Sequence, residues 1–450
     1  MTPLLTFYGD DFTGSSAVME VLSFAGVPTM LFMDPPESDI LSQYPDLRAI
    51  GVAGIARSKA PAWMETNLPA VFDALKQFAA PVSHYKTCST FDSSPEIGSI
   101  GVAAELGARV FDGGWIPLVV GAPAIRRYQA FGTLFAAAGS DTYRLDRHPV
   151  MSRHPVTPMG EADLGRHLSR QTDLQVGVID LAAIKAGTAQ AALQRCLAEG
   201  AKILAIDVVD DETLAAAGLL IWRGGAGPVF AVGSQGVEYA LVAHWRAQGV
   251  IPVHYAPPTL HPVDQVFAVS GSCAPTTADQ IAYAEAKGVQ ILDFDAASAT
   301  DPDRLVAELH RVRLASLALL SDGHDVLATT ARGPDDPSLL RMAEAIDRTG
   351  ALGSDVNDRL GTALGQLVLA IRQQTGLPRV AIGGGDTSGH ALTALGAEAL
   401  TAVAPLAPGA PVCRLHSSSD DSIDGLEVTL KGGQMGAPDF FLQVKGGPQP

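Results

Sequence analysis

The sequence predicts an α/β protein of two domains, each a mostly parallel sheet flanked by helices. Three observations carry that reading. Short apolar runs alternate with amphipathic segments from one end of the chain to the other, and strand–helix–strand order favours parallel sheets with crossover helices. A proline-rich stretch, IPVHYAPPTLHPVDQ at 251–265, interrupts the alternation once, after which it restarts. Finally, the length of 450 residues suits two or three domains at roughly 100–200 residues each.

The elements follow in order. Leu4–Tyr8 is a short apolar strand that runs into GDDFTG, and a helix follows from Ser15 to about Phe24, stopped by Gly26. Thr29–Met33 and Ile50–Ala53 read as further strands. Leu68, Val71, Phe72, Leu75 and Phe78 recur at helical spacing. A short strand then leads into HYKTCSTFDSS at 84–94. Val176–Asp180, Ile203–Asp207 and Val229–Val232 are strand-like, with helical stretches near 187–198, 211–222 and 236–247. Four prolines make 251–265 a stiff, extended connector. Beyond it come a strand at Val266–Val269, a helix from about Thr276 to Lys287, and a long helix near Asp355–Gln374. The expected domains are 1–250 and 266–450, with 251–265 as the linker.

Composition removes several classes of function. With 48 acids against 31 bases the net charge is −17, which argues against nucleic acid, because phosphate backbones demand a basic surface. The most apolar stretch, Val110–Ile125, is broken by Asp112, glycines and prolines, so no membrane span is expected. MTPLLTFYGDD has no basic region ahead of its apolar residues, and the four cysteines form no CxxC pair. The expectation is a cytoplasmic protein.

Four places share one layout of apolar strand, Gly/Ser/Asp/Thr turn and amphipathic helix: residues 7–22, 231–241, 268–281 and 381–392. Glycine lets a backbone approach a ligand, and free N–H groups at a helix start favour an anion. Any one such turn can be an ordinary capped connection. Two of them after the linker, at Gly271–Ser272 and Gly383–Gly389, favour a phosphate cradle in the second domain. It is not a known nucleotide motif. There is no Gly-Lys pair for a Walker A loop, no HRD or DFG, and no HExxH or GxSxG.

The first domain carries different chemistry. Asp10 and Asp11 leave the first strand together and enter a helix, where carboxylates suit a general base or a magnesium ion. One acid there would serve as a cap; two exceed that need. Arg57, Ser58 and Lys59 follow another strand, and Lys86, Cys88, Ser89, Thr90 and Asp92 crowd one turn, a composition suited to a polyhydroxylated carboxylate. Cys88 with His84 admits a thiol nucleophile, though four residues apart on a strand and a turn their side chains need not meet. Residues 145–159 carry two Arg-His-Pro triplets in what reads as an extended loop, suited to an anion or simply to the surface.

GDDFTG (9–14), AGIARS (53–58), YKTCSTFDSSPEIGSIG (85–101), RHPVTPM (153–159), VSGSCAPTTADQI (269–281), GGDTSG (384–389) and LKGGQMG (430–436) together resemble the four-carbon acid sugar kinase family over nearly the whole chain, in wording nearest its 3-oxo-isoapionate and 3-oxo-tetronate kinase branch. The resemblance implies an N-terminal acid-sugar domain, a C-terminal nucleotide domain, and an active site in the cleft between them. It also implies transfer of phosphate from ATP, with Mg2+, to a short sugar acid. Substrate positions then fall on an aspartate of the DDFTG turn, taken as Asp10, and on Arg57, Lys86, Thr87, Cys88 and Ser89. Nucleotide positions fall on Ser272, Gly384, Gly385, Asp386 and Thr387, and on a glycine of LKGG, Gly432 or Gly433. Asp10 or Asp11 is the expected catalytic base, with Asp386 behind them; metal ligands are not assigned. SSPEIGSIG (93–101) and GAPAIRRYQAF (121–131) depart from the family wording, which points to a substrate other than plain tetronates. A homodimer is left open, and the alternative is a non-catalytic sugar-acid-binding or sensor protein.

Overall fold

The computed structural model describes residues 2–37, 39–154, 156–223 and 228–446, apart from the side chains of Arg223 and Asp386. The chain divides into two compact units, Met1–Ala256 and Pro257–Pro450. Residues 251–265 form neither helix nor strand.

In the first unit the strands are β1 (Leu5–Gly9), β2 (Thr29–Phe32), β3 (Ala49–Ala53), β4 (Val82–Lys86) and β5 (Ile116–Val119), then β6 (Arg127–Ala130), β7 (Thr133–Ala138) and β8 (Asp141–Arg144), then β9 (Val176–Ile179), β10 (Ile203–Ile206) and β11 (Val229–Gly233). Their sheet runs β2-β3-β1-β4-β11-β5-β10-β9, and every pairing within it is parallel. β1, β4 and β11 are buried along their whole length, which is why they read as near-continuous apolar runs rather than alternating ones. Ala53, Gly9, Lys86 and Gly233 lie in register across β3, β1, β4 and β11. One row of carboxyl ends therefore launches the DDFTG turn, the Arg57 segment and the KTCST loop together. The chain leaves β1 to build β2 and β3 on one side and returns to place β4 on the other. That reversal is the point where open α/β sheets leave a crevice for ligand.

The second unit contains β12 (Phe267–Ser270), β13 (Gln290–Asp293), β14 (Val326–Thr329), β15 (Arg379–Gly383), β16 (Ala399–Ala407), β17 (Ala410–His416) and β18 (Glu427–Lys431), in the order β13-β14-β12-β15-β18-β17-β16. β12 is its switch strand, with β14 and β15 parallel on either side. Ser270, Gly383 and Lys431 share one level at the carboxyl edge.

Two features depart from uniform strand–helix alternation. β6, β7 and β8 form an antiparallel meander, and β16–β17–β18 are antiparallel, with Gly409 (φ +80°) supplying the left-handed residue of a tight turn. The segment expected as an extended loop at 145–159 instead holds two single 3-10 turns, Leu145–Arg147 and Met151–Arg153. Each needs only an i to i+3 bond and ends before its His-Pro step, so proline does not prevent it; Pro155 itself lies outside the described residues. Among the described residues no helix is long and apolar enough to cross a membrane.

Candidate functional site

The first site forms where β1, β3 and β4 end. Asp11 caps the helix Phe12–Ser23, its Oδ1 accepting from Gly14 N–H at 2.8 Å. Asp10, one residue earlier, is 2% exposed. Arg57 spans both: one guanidinium nitrogen donates to Asp10 Oδ1 at 2.6 Å and the other to Asp11 Oδ2 at 2.7 Å. Lys86 enters from β4, fully buried, and donates to the Thr87 carbonyl at 2.6 Å. Gly14 sits among them: a Cβ there would lie 2.5 Å from Asp11 Oδ1, 3.0 Å from Lys86 Nζ and 3.5 Å from an Arg57 nitrogen. Two acids and two bases from three parts of the chain thus meet over one glycine.

Their charges are interdependent. Burial, with the adjacent Asp11 carboxylate, pushes Asp10 up to about 6 against the pull of Arg57 and Lys86. Burial opposes the Arg57 charge, yet the two aspartates hold its guanidinium protonated well above its ordinary value. Asp92 extends the network. Burial works against its charge, but Arg57 and hydrogen bonds from Cys88 and Thr90 keep it below the usual carboxylate range, with Thr90 Oγ1 donating at 2.7 Å. Sequence reasoning placed Asp92 in the loop without giving it a role; the signal was a second acid six residues after Lys86.

Cys88 joins the site as a neutral thiol. Burial raises it to about 11, with the Asp92 charge adding to the rise, and its sulfur lies 3.0 Å from Thr90 Oγ1. The thiol-nucleophile reading fails on His84 as well. That ring is occupied at both nitrogens, Nδ1 by Glu238 Oε1 at 2.5 Å and Nε2 by the Gly233 carbonyl at 3.2 Å. The Ser89 hydroxyl is half-buried and makes no hydrogen bond among the described residues. In the Arg-His-Pro segment, His148 and His154 accept backbone N–H groups of their own turns, from Met151 at 3.2 Å and Thr157 at 3.1 Å. They hold the loop's shape.

The second site is a group of glycine turns at the carboxyl ends of β12, β15 and β18. Gly271 N–H donates to the Gly383 carbonyl at 2.9 Å, and Gly384 N–H to the Lys431 carbonyl at 2.8 Å. A Cβ on Gly271 would run into Thr387 Oγ1, and one on Gly433 would lie 2.9 Å from Ser272 Oγ. Gly384, at φ +119°, adopts a conformation that favours glycine. It turns the chain into the ten-residue helix Gly385–Ala394, whose leading N–H groups have no partner within the helix. Ser272, Gly384, Gly385, Thr387, Gly432 and Gly433 are thus gathered in one place, while the Asp386 side chain lies outside the described residues. Close backbone approach and a helix N-terminus at a switch point fit a polyphosphate. Among the described residues no cluster of three or more His, Cys, Asp or Glu is placed to hold a metal ion.

Sequence reasoning passed over Lys431. It is 1% exposed, and its Nζ donates to Thr277 Oγ1 at 2.9 Å and to the carbonyls of Gly432 and Gly433 at 3.1 and 3.5 Å. The signal was present: β18 ends EVTLK as β4 ends VSHYK, a lysine closing an otherwise buried strand.

The first unit thus gathers paired acids and bases at one sheet switch point, and the second gathers glycine turns and a helix N-terminus at another. Known proteins resemble the chain over nearly its whole length. Residues 5–241 match the model of a sugar-binding N-terminal domain, and 267–441 that of a nucleotide-binding C-terminal domain. A 3-oxo-isoapionate kinase from Paraburkholderia graminis is 44% identical over 99% of this chain and 94% of its own. A 3-oxo-tetronate kinase from Methylobacterium radiotolerans is 30% identical over 98% of both. A crystal structure from Salmonella typhimurium LT2 shares the fold, with a TM-score of 0.77, 23% identity and 98% of each chain covered. The chain belongs to the four-carbon acid sugar kinase family, and its class of activity is that of a sugar-acid kinase.

Proposed function

We propose that this chain phosphorylates a hydroxyl of a branched or four-carbon 3-oxo sugar acid, using ATP and Mg2+ in the cytoplasm. The observation that carries the reading is the Asp10–Arg57–Asp11 bridge with Lys86 beside it, one buried acid and two cations at a single sheet switch point. In a chain 44% identical to a 3-oxo-isoapionate kinase, that branched acid is the first substrate to try.

Arg57 and Lys86 hold the acid's carboxylate and oxo group through charge-assisted bonds. Thr87, Cys88 and Ser89 line the same loop, Ser89 with a hydroxyl ready for a sugar oxygen. Asp10 takes the proton of the attacking hydroxyl, since a buried carboxylate near 6 is ionised at neutral pH yet basic enough to accept one. Asp11 keeps Arg57 aimed and the turn capped. The nucleotide, when bound, would supply the phosphoryl group, and a magnesium ion bound with it would offset the charge on its phosphates. Ser272, the N–H groups of Gly384–Thr387 and the Gly432–Gly433 turn position those phosphates.

The test is an ADP-release assay across 3-oxo-isoapionate, 3-oxo-tetronates and plain tetronates. Turnover on at least one 3-oxo acid, above the rate without acid, is expected; ADP release that no acid stimulates would overturn the reading.

A further inference from the structure

A buried cation with no anion beside it needs a reason. Lys431 is such a cation in the second unit. The groups that face its Nζ are Thr277 from the helix Pro275–Ala286, the carbonyls of Gly432 and Gly433 from its own turn, and the ring of Phe440, 5.9 Å away, from the helix Phe440–Gln443. None carries a charge, and among the described residues no carboxylate pairs with it. Its three ammonium protons are all used within the protein, so it does not reach for a ligand. What it does is fix a turn: the two carbonyls it gathers belong to Gly432 and Gly433, and Gly433 packs against Ser272.

Thr277 ties the same lysine to the opposite wall. Its Oγ1 donates to the Gly433 carbonyl and lies 3.0 Å from Ser272 Oγ. One ammonium thus joins the Ser272–Thr277 side, after β12, to the Gly432–Gly433 turn, after β18.

We propose that Lys431 is a positioning residue for the nucleotide polyphosphate, setting the Gly432–Gly433 turn and furnishing the buried positive charge that the phosphates neutralise. The proposal rests on the nucleotide reading of the second unit and adds to it a residue and a proton. Without ligand, burial holds the lysine down to about 8. A polyanion brought next to it favours the charged form, so binding raises its affinity for a proton. Above pH 8 binding must then take up a proton, and affinity must fall as pH rises.

The experiment is calorimetric titration of the whole protein with MgADP between pH 7.5 and 9.5, in two buffers of different ionisation enthalpy, on the wild type and on Lys431→Met. Cys273 is an exposed thiol in the neighbouring turn, so both proteins are titrated in a Cys273→Ser background. The parent should show proton uptake near pH 8.5 and an affinity that falls by up to about tenfold per pH unit. Lys431→Met should bind about tenfold or more weakly, take up no proton, and show no pH slope. Nucleotide binding by the parent with no proton uptake and a flat profile overturns the proposal, and needs no folded variant to do so. A persistent slope in folded Lys431→Met overturns it too. Failure of the parent to bind MgADP at any pH strikes the nucleotide reading instead, which keeps the two failures distinguishable.

Discussion

Asp10 and Asp11 are neighbours in the chain with different surroundings. Asp10 is buried and accepts from Arg57; Asp11 is partly open, accepts from the other arm of Arg57, and caps a helix. Asp10→Asn should therefore cut kcat by about 10²–10⁴, the usual scale of acid–base help, with acid binding retained. Asp11→Asn should cost much less turnover, because asparagine still caps a helix well. Since Asp10 must be ionised to accept a proton and sits at about 6, kcat/KM should fall as pH drops through about 6. Arg57 pulls that value down. Arg57→Ala should therefore move the acid limb to higher pH while raising the KM for the acid, and a pH–rate profile reads both. A limb that stays in place in Arg57→Ala would remove Asp10 as the base. How much of this was legible follows from separation along the chain. Polar residues just after apolar strands marked Asp10, Arg57 and Lys86, but that one arginine bridges both aspartates is a contact across 46 residues, and nothing in the local pattern encodes it. The burial of Lys431 was not legible in LKGG, because the Thr277 hydroxyl that receives its ammonium lies 154 residues away.

The turn between β15 and the helix Gly385–Ala394 ties local conformation to ligand. Gly384 needs its positive φ, so a substitution there would strain the backbone itself. Gly385 is the first helical residue and does not share that conformation, so Gly385→Val should fold normally and put a side chain where phosphate must approach. Lost MgADP binding with unchanged thermal unfolding is the expected result of calorimetry on this variant; normal affinity would move the phosphates elsewhere. Strands such as LTFYG and FAVS, buried throughout, were readable as apolar runs between turn residues. The helix after DDFTG begins at Phe12 rather than Ser15 because Asp11 caps earlier than the apolar pattern shows. The meander β6–β8 was not read at all. Its segments RYQA, TLFAAA and DTYR are mostly half-exposed and weakly alternating, and their pairing depends on a turn at Phe131–Gly132 where both residues have positive φ. β16 was missed for a related reason: ALTAVAPLA is small, apolar and interrupted by proline, and its strand character shows only in pairing, as with β17.

With each ligand assigned to its own unit, the effects of variants should separate. A ligand that binds only the native state raises the unfolding temperature by mass action. Arg57→Ala should thus lose the shift caused by the sugar acid and keep the one caused by MgADP, while Gly385→Val does the reverse. Loss of both shifts in either variant would contradict the division of labour. The net charge of −17 does not oppose the two anionic ligands proposed, because local groups outweigh a distant field: Arg57 and Lys86 around Gly14 in one unit, and the buried Lys431 ammonium in the other. The most direct measurement is phosphorus NMR of the wild-type protein incubated with MgATP and 3-oxo-isoapionate. The account predicts a phosphate-ester signal on the acid that grows in step with ADP and is absent for Asp10→Asn on the same timescale. ADP accompanied by inorganic phosphate alone, or an acid and a nucleotide that both bind and never react, would contradict it.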